Sequence, residues 1–553
     1  MKKSLQILIM LVLIGFSKIL SAQTPSWVWA RSAGEVSNEY SNSVCTDANG
    51  NVYITGTFQG SSIIFGNDTL HNAGPGVLDI FVVKYDANGN TLWARGGGGT
   101  NDDYAYGICT DANGNVYITG YFRSPFITFG TITLNNADTS ISSWNQCDIF
   151  ITKYDSDGTL LWAKRAGSAG TEISYSICTD SDNNVYITGM FGYSTNMYFA
   201  SDTLINRGSY DVFVAKYDSG GNELWVKSDG GAEQDCGYSI CTDASKNVYV
   251  TGYFQASAAF GNDSIFGHGN LDLFVAKYDT YGNNIWAKSA VGPSYDWNSG
   301  TGITADEWGN VYITGYFQNS IIFGNDALGN GGPWSIFTAK YDSSGNALWG
   351  RSPGGTNNDF GNSISADANG HVFVTGYFAS SYLNFGGIPV LNTNVGYNDI
   401  FVVEYDAAGN ALWATGIGGT DNDYGMGICT NGGDKVYITG YIGSYSVNFG
   451  STALINNGSY DVFLAKLGLT AGIEELAKDT NSVLVYPNPT STTITFHLSS
   501  SPQNETLQIT DVFGRVVYKE TIRANDMKLD VSRWSGGIYF YEVSGKRGKI
   551  VKQ

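Results

Sequence analysis

The stretch Asn115-Val116-Tyr117-Ile118-Thr119-Gly120-Tyr121-Phe122 decides the fold, because close variants of it recur seven times, starting at Val52, Val116, Val185, Val248, Val311, Val372 and Val436. The spacing is 61 to 69 residues, and self-similarity at such a period marks a repeat architecture. Within the copy, Val116, Ile118, Gly120 and Phe122 share one strand face by the period of two. Asp111–Asn115 (D-A-N-G-N) before it is a hairpin turn signal. Working outward, a short strand around Gly107–Thr110 precedes the turn and Phe129-Gly130 follows in a longer excursion. A third strand then runs from Asp148 to Tyr154, and a fourth from Leu160 to Lys164 is centred on Trp162. Four antiparallel strands per unit, repeated seven times, predict an all-β chain with a seven-bladed β-propeller. Gly120 recurs as Gly56, Gly189, Gly252, Gly315, Gly376 and Gly440, where close approach of a neighbouring sheet is expected.

The fourth strand is the one element that does not count out. Trp93, Trp162, Trp225, Trp286, Trp349 and Trp413 close six units, but the seventh ends at Asp461–Lys466 without a tryptophan strand. The missing strand sits at the front, as Ser26-Trp27-Val28-Trp29-Ala30-Arg31. The N-terminal strand is therefore expected to complete the last blade and remove two open sheet edges.

Composition agrees with turns and aromatic strands: 71 residues are Gly, 77 are Phe, Trp or Tyr, and only 14 % are charged. Residues 1–22, with Lys2, Lys3, an apolar run from Leu5 to Phe16 and Leu20-Ser21-Ala22, have the layout of an export signal that is too short for a membrane span. No later stretch is apolar enough to be a transmembrane segment. The net charge is −20. Residues 1–22 carry +3 and residues 478–553 carry +3, which leaves −26 between them, a field that repels nucleic acid and anionic lipid. Five of seven cysteines (Cys45, Cys109, Cys178, Cys241, Cys429) occupy one repeat position and read as small buried thiols, leaving Cys147 and Cys236 as one candidate disulfide pair.

The units NVYITGYF, FG, DIFVAKYD and NGN-LWAK resemble the bacterial seven-bladed propeller repeat, often called the SBBP repeat, over nearly all of residues 26–467. That resemblance implies a fold and no catalytic residues. After Lys466 the repeat stops, and residues 468–480 read as a linker. Residues 481–553 have short alternating strands and predict a small C-terminal β-sandwich, Ig-like in kind. Their landmarks are Pro487, Asn488 and Pro489, then Gly514-Arg515, then Gly537 and Tyr539, with Lys549 and Lys552 at the end. Together these resemble the type A C-terminal sorting domain of the type IX secretion system of Bacteroidota. The resemblance implies export to the surface, recognition by the type IX machinery, and cleavage of the tail with attachment to lipopolysaccharide.

Chemistry is sparse by comparison. The four histidines (His71, His268, His371, His497) are not spaced as metal ligands, and there is no nucleophile elbow, phosphate loop or zincin motif. Six residues before the cysteine position, Glu39, Asp103, Glu172, Asp235, Asn298, Asp359 and Asp423 form a sevenfold series. If first strands line the axis, the series forms an acidic ring near one mouth of the channel, suited to a cation or a basic ligand group, and the D-A-N-G-N turns offer calcium a second candidate place against plain hairpin geometry. The alternative is that each carboxylate accepts loop amides and has a structural role. Departures from the repeat point to function: Tyr295, Trp297 and Trp334 in the fifth unit and Trp144 in an insertion of the second are placed on one face. Aromatics flanked by Asn, Asp and Ser suit sugar stacking, or pack loop against loop. Trp308 belongs on the opposite face. The leading expectation is a secreted or surface-attached binding scaffold for an extracellular glycan or surface protein. The alternatives are a polysaccharide-active hydrolase or lyase and a structural surface protein without a small ligand.

Overall fold

The computed structural model describes residues 25–138, 146–193, 196–268, 270–290, 292, 296–329, 331–431 and 435–468, and then 483–486, 490, 492–498, 505–511, 514–543 and 546–552. They fall into two compact units divided between Ala471 and Gly472. Both units are built of β-strands, with no helix among the described residues.

Among the described residues the first unit contains seven larger antiparallel sheets that share one order of four strands, the first of them extended to six by the hairpin Phe126–Phe129 with Ile132–Asn135, and six separate two-stranded hairpins. In the second sheet, Asp103–Thr110, Val116–Phe122, Asp148–Tyr154 and Leu160–Ala166 lie side by side in that sequence. The seventh sheet contains Asp423–Asn431, Lys435–Ile442 and Asp461–Gly468, and its fourth strand is Ser26–Ala33, antiparallel to Asp461–Gly468. First strands touch one another in series, and Asp423–Asn431 touches Glu39–Thr46 in turn. Threonine hydroxyls mark that contact: Thr110 Oγ1 donates to Thr46 O at 2.9 Å and Thr179 Oγ1 to Thr110 O at 2.8 Å. Thr46 Oγ1 lies 3.5 Å from Thr430 O, joining the first sheet to the seventh.

The excursion after each second strand is itself a hairpin, such as Ser62–Phe65 with Asp68–His71. Its phenylalanine packs on the third strand of the same unit, with ring centroids 5.1 Å apart for Phe65–Phe81 and 4.7 Å for Phe260–Phe274. These rings exclude water from cores formed mainly of Val, Ile and Phe.

The recurring glycine has a different cause from the expected one. Each first strand carries a β-bulge, as between Ala105 and Gly107, which pushes a carbonyl toward the second strand. A Cβ at Gly120 would lie 1.8 Å from Tyr104 O. The close approach therefore comes from the same sheet and not a neighbouring one.

Successive sheets are clamped by one device. The fourth-strand tryptophan of one sheet donates its indole N–H to a turn carbonyl of the next: Trp93 Nε1 to Ser156 O at 3.1 Å, Trp286 Nε1 to Ser343 O at 3.2 Å. Third-strand lysines reach the same carbonyls, Lys84 Nζ to Ser156 O at 2.8 Å and Lys277 Nζ to Ser343 O at 3.1 Å. The turn glycine, Gly158 at φ +79°, lies against the face of Trp93 and has no room for a side chain. Trp29 of the N-terminal strand joins the scheme, donating to Ala87 O of the first sheet at 3.2 Å, as does Lys466 Nζ at 3.0 Å.

The sixth sheet departs from this scheme for a topological reason. The third and fourth strands of the seventh sheet come from the two ends of the unit, so no turn connects them to offer a carbonyl. Glu404 stands where other sheets have lysine; it accepts the Trp413 indole N–H and lies 2.7 Å from His371 Nδ1. His371 and Phe373 likewise replace the usual asparagine and tyrosine.

All seven cysteines are free thiols. Cys147 and Cys236 are both buried but belong to different sheets, and Cys147 Sγ lies 3.4 Å from Glu172 O. The candidate disulfide is not formed.

In the second unit, Val483–Tyr486, Thr493–Leu498 and Asp526–Asp530 form one sheet. Val516–Ile522, Glu505–Asp511, Gly537–Val543 and Lys546–Lys552 form another. Ile494, Phe496 and Leu529 from the first share a core with Leu507, Ile509, Val543 and Ile550 from the second.

Candidate functional site: an aromatic collar above buried acid pairs

The sevenfold acidic series is placed by strand alternation. Glu39 and Ser41 point into the protein, whereas Tyr40 and Asn42 are half-buried on the other side. Glu39, Asp103, Glu172, Asp235, Asn298, Asp359 and Asp423 are all 0 % exposed. This corrects the expectation of a ring at a channel mouth: the series lies beneath the surface.

Its groups are held by amides and hydroxyls. Asp103 Oδ1 accepts from Arg123 N at 3.1 Å and Ser124 N at 3.2 Å, and Oδ2 accepts from Ser124 Oγ at 2.9 Å. Asp359 and Asp423 repeat that pattern with Ser380 and Ser444. Glu172 instead accepts from Ser168 N and Oγ in its own loop.

Each member faces the first residue of a third strand, also an acid in most sheets. A Cβ at Gly230 would lie 2.4 Å from Asp211 Oδ1 and 2.7 Å from Asp235 Oδ2, so both carboxyls flank one glycine. Asp79, Asp148, Asp211, Asp399 and Asp461 each leave Oδ1 without a hydrogen-bond donor. Burial, reinforced by the neighbouring acid, pushes Glu39, Asp235 and Asp423 up to about 7 and Glu172 to about 8. Burial pushes Asp103 well above the carboxylate range. Among the described residues no three His, Cys, Asp or Glu side chains are grouped to hold a metal ion.

On the other side of the same strands lies a band of aromatic rings built from cross-strand neighbours. Tyr104 pairs with Tyr121, Phe360 with Tyr377 and Tyr424 with Tyr441. Rings also meet between sheets: Tyr377–Tyr424 and Tyr40–Tyr441 centroids are each 4.8 Å apart. On the other arc, bulge residues supply the links, Tyr106–Tyr175 at 5.2 Å and Tyr175–Tyr238 at 5.0 Å.

Trp334 belongs to this band, 5.8 Å from Phe360 and 5.1 Å from Tyr316. Trp297 meets Trp334 edge-on at 6.2 Å and remains 45 % exposed. Trp308 is 63 % exposed in the turn Asp306–Asn310. Tyr295 and Trp144 lie outside the described residues. The tyrosine columns were missed by sequence reasoning, although their signal is plain: the residue after the acid (Tyr40, Tyr104, Phe360, Tyr424) and the sixth of the second strand (Tyr121, Tyr253, Tyr316, Tyr377, Tyr441).

The D-A-N-G-N aspartates are occupied by their own turns. Asp111 Oδ1 accepts from Asn113 N and Asn115 N, and Oδ2 from Asn115 Nδ2 and Tyr117 Oη.

In the second unit the landmark residues have defined structural places. Gly514 takes φ +78° in a turn whose Arg515 Nε lies 2.7 Å from Asp511 Oδ2. Gly537 opens Gly537–Val543, and Tyr539 Oη donates to Ser535 O at 2.9 Å. Lys549 is exposed and Lys552 buried in the last strand, where Thr490 N donates to Val551 O at 2.9 Å. Pro487, Asn488 and Pro489 lie outside the described residues.

Residues 484–553 match the family described as secretion system C-terminal sorting domain. The tail is a type IX secretion sorting domain, and it marks the chain for secretion or attachment at the outer cell surface. Such a domain implies interaction with the secretion machinery. The chain is 26 % identical to an uncharacterized WD repeat-containing protein, L264, of Acanthamoeba polyphaga mimivirus, over 79 % of this chain and 38 % of that protein. It is 24 % identical to the regulatory protein FlaEY of Caulobacter vibrioides, over 37 % and 21 %. The chain thus spans well under half of either relative. Among solved structures, PorZ, a surface component of the type IX secretion system of Porphyromonas gingivalis, aligns at TM-score 0.29 and 12 % identity, over 94 % of this chain and 74 % of its own. A puromycin hydrolase aligns at TM-score 0.40 and 8 % identity, over 83 % and 59 %.

Proposed function

We propose that the chain is an exported, seven-bladed β-propeller, closed by its N-terminal strand, that acts as a non-enzymatic scaffold binding an extracellular glycan at the aromatic collar. The closed ring is supported by the pairing of Ser26–Ala33 with Asp461–Gly468 and by the contact of the seventh first strand with the first. The propeller is proposed to span residues 23–467, with a linker at 468–480 and the sorting domain at 481–553.

The observation that carries the binding role is the collar itself. Half-buried rings gathered on one face offer stacking surface, and sugar rings present apolar faces that stack on aromatics while their hydroxyls find polar partners. The two acid series lie buried, which suits recognition better than hydrolysis by an accessible carboxyl pair.

The test is binding of the purified chain to a broad glycan panel, with and without calcium, beside the Trp297→Ala/Trp334→Ala variant. Expected is binding by the parent and a loss of about tenfold or more in a variant whose unfolding remains cooperative, equivalent to about 1.4 kcal/mol. Absence of binding to every sugar overturns the glycan reading and turns the search to a protein ligand.

A further inference from the structure

One position inside the collar varies between sheets and is charged in only one of them. The residue that follows the end of the second strand's V-Y-I-T-G-Y-F motif is Gln59, Gln255 and Gln318 in three sheets and Gly192, Ala379 and Gly443 in three others. In the second sheet it is Arg123.

The main chain of Arg123 is fixed. Its N–H donates to Asp103 Oδ1 at 3.1 Å, and its carbonyl accepts from Asn101 Nδ2 at 3.2 Å. The side chain extends over the tyrosine pair, with Cζ 5.3 Å from the Tyr121 ring centroid and 6.0 Å from that of Tyr104. Cation–π contact holds the guanidinium plane in place. Its Nε–H is buried and donates to nothing among the described residues.

Arg123 forms no ion pair among the described residues; the adjacent Asp102 accepts from Leu78 N at 3.0 Å through Oδ1. Asp103 takes up its hydrogen bonds with main-chain amides and Ser124. Burial pushes its carboxyl well above the carboxylate range, and Glu172 rises to about 8. A guanidinium held over ring faces, with its Nε–H open and no ion pair among the described residues, matches a planar carboxylate carried on a stackable ring. We infer that Arg123 is the anion subsite of the collar and receives the carboxylate of an acidic sugar whose ring stacks on Tyr104. This rests on the glycan reading and names its ligand class.

The test pairs each uronic-acid oligosaccharide of a panel with its methyl ester, which removes the charge and little else, and titrates both into the full chain and into Arg123→Gln and Arg123→Lys. Expected is at least about tenfold tighter binding of the acid than of its ester, a preference that falls with salt. Arg123→Gln should abolish the preference of acid over ester, and Arg123→Lys should restore part of it. Sugar binding that is indifferent both to esterification and to Arg123→Gln overturns the subsite and leaves the glycan reading standing. If no sugar binds, the glycan reading falls, and a hexaglutamate peptide decides the subsite. Binding of that peptide lost in Arg123→Gln supports the subsite, whereas its absence, or binding unaffected by Arg123→Gln, overturns it.

Discussion

Arg123 and the Glu404–His371 pair are both departures from the repeat, yet they differ in what they leave open. In the sixth sheet three residues change together and satisfy one another: Glu404 accepts from Trp413 and meets His371 at 2.7 Å. The change follows from topology, because the seventh sheet has no turn to receive a lysine. At Arg123 a variable position carries a charge, and its Nε–H has no acceptor among the described residues. A departure that closes its own hydrogen bonds repairs the architecture. Arg123, as the proposed anion subsite, is the opposite case, a donor kept for a ligand.

The largest effects should come from the architectural side. Deleting Ser26–Ala33 removes the fourth strand of the seventh sheet and the Trp29 clamp on the first. We expect loss of cooperative unfolding, followed by circular dichroism and gel filtration. Trp29→Ala alone should cost about 3–5 kcal/mol, the usual range for a buried tryptophan. A variant without residues 26–33 that melts like the parent would remove the basis for a closed ring.

Glu404→Lys should be next, costing about 3–5 kcal/mol, because it buries a charge without its partner and strands the Trp413 indole. The sharper experiment restores the common motif in full, as His371→Asn/Phe373→Tyr/Glu404→Lys. The variant should remain destabilised in urea denaturation, since the missing carbonyl is a matter of topology and not of side chains. Parental stability in this triple variant would break the comparison.

A smaller, distributed effect concerns pH. Glu39, Asp235 and Asp423 are raised to about 7 and Glu172 to about 8, chiefly by burial. A carboxyl whose folded value exceeds its unfolded value near 4 favours the folded state while protonated. That contribution is complete below the unfolded value and is lost as pH rises through about 7 to 8. The unfolding midpoint should therefore be higher at pH 5 than at pH 9. Asp235→Asn should flatten part of the slope, because it copies the junction where Asn298 Nδ2 already faces Asp272 Oδ1 at 3.5 Å. A midpoint that rises toward pH 9 would mean these acids are ionised in the folded protein.

The strands were legible in the sequence because their signal is repeated. The valine, glycine and tryptophan columns carry the four-strand unit and the N-terminal strand that pairs with Asp461–Gly468, and alternation carries the all-strand character of the described tail residues. What escaped depends on registers that the sequence does not display. The bulge that sends Tyr104 O toward Gly120 is a local insertion, so the glycine was assigned to a neighbouring sheet. The acids were placed at a channel mouth because their strand face was not worked out, although the alternation of Glu39 with Tyr40 carries that information. The collar was overlooked for a related reason: tyrosine in a strand is ordinary one sheet at a time, and becomes a band only when cross-strand pairs of several sheets meet.

Trp308 provides the smallest expected effect and the control for the rest. It too departs from the repeat, and its side chain is 63 % exposed. Unlike Glu404 it makes no side-chain hydrogen bond across a junction among the described residues, its ring edge only approaching the Gly370 turn, and its main-chain N–H donates to Asp306 Oδ1 at 3.0 Å, a bond of the turn that any residue makes. Unlike Arg123 it leaves no buried donor open. Trp308→Ala should change stability by no more than about 0.5 kcal/mol, as exposed sites without special contacts do, and should leave glycan affinity unaltered while Trp297→Ala/Trp334→Ala does not. If Trp308→Ala instead weakened binding as much as the double variant, an unusual residue would be enough to mark a site. The distinction between closed and open departures would then have no predictive value in this chain.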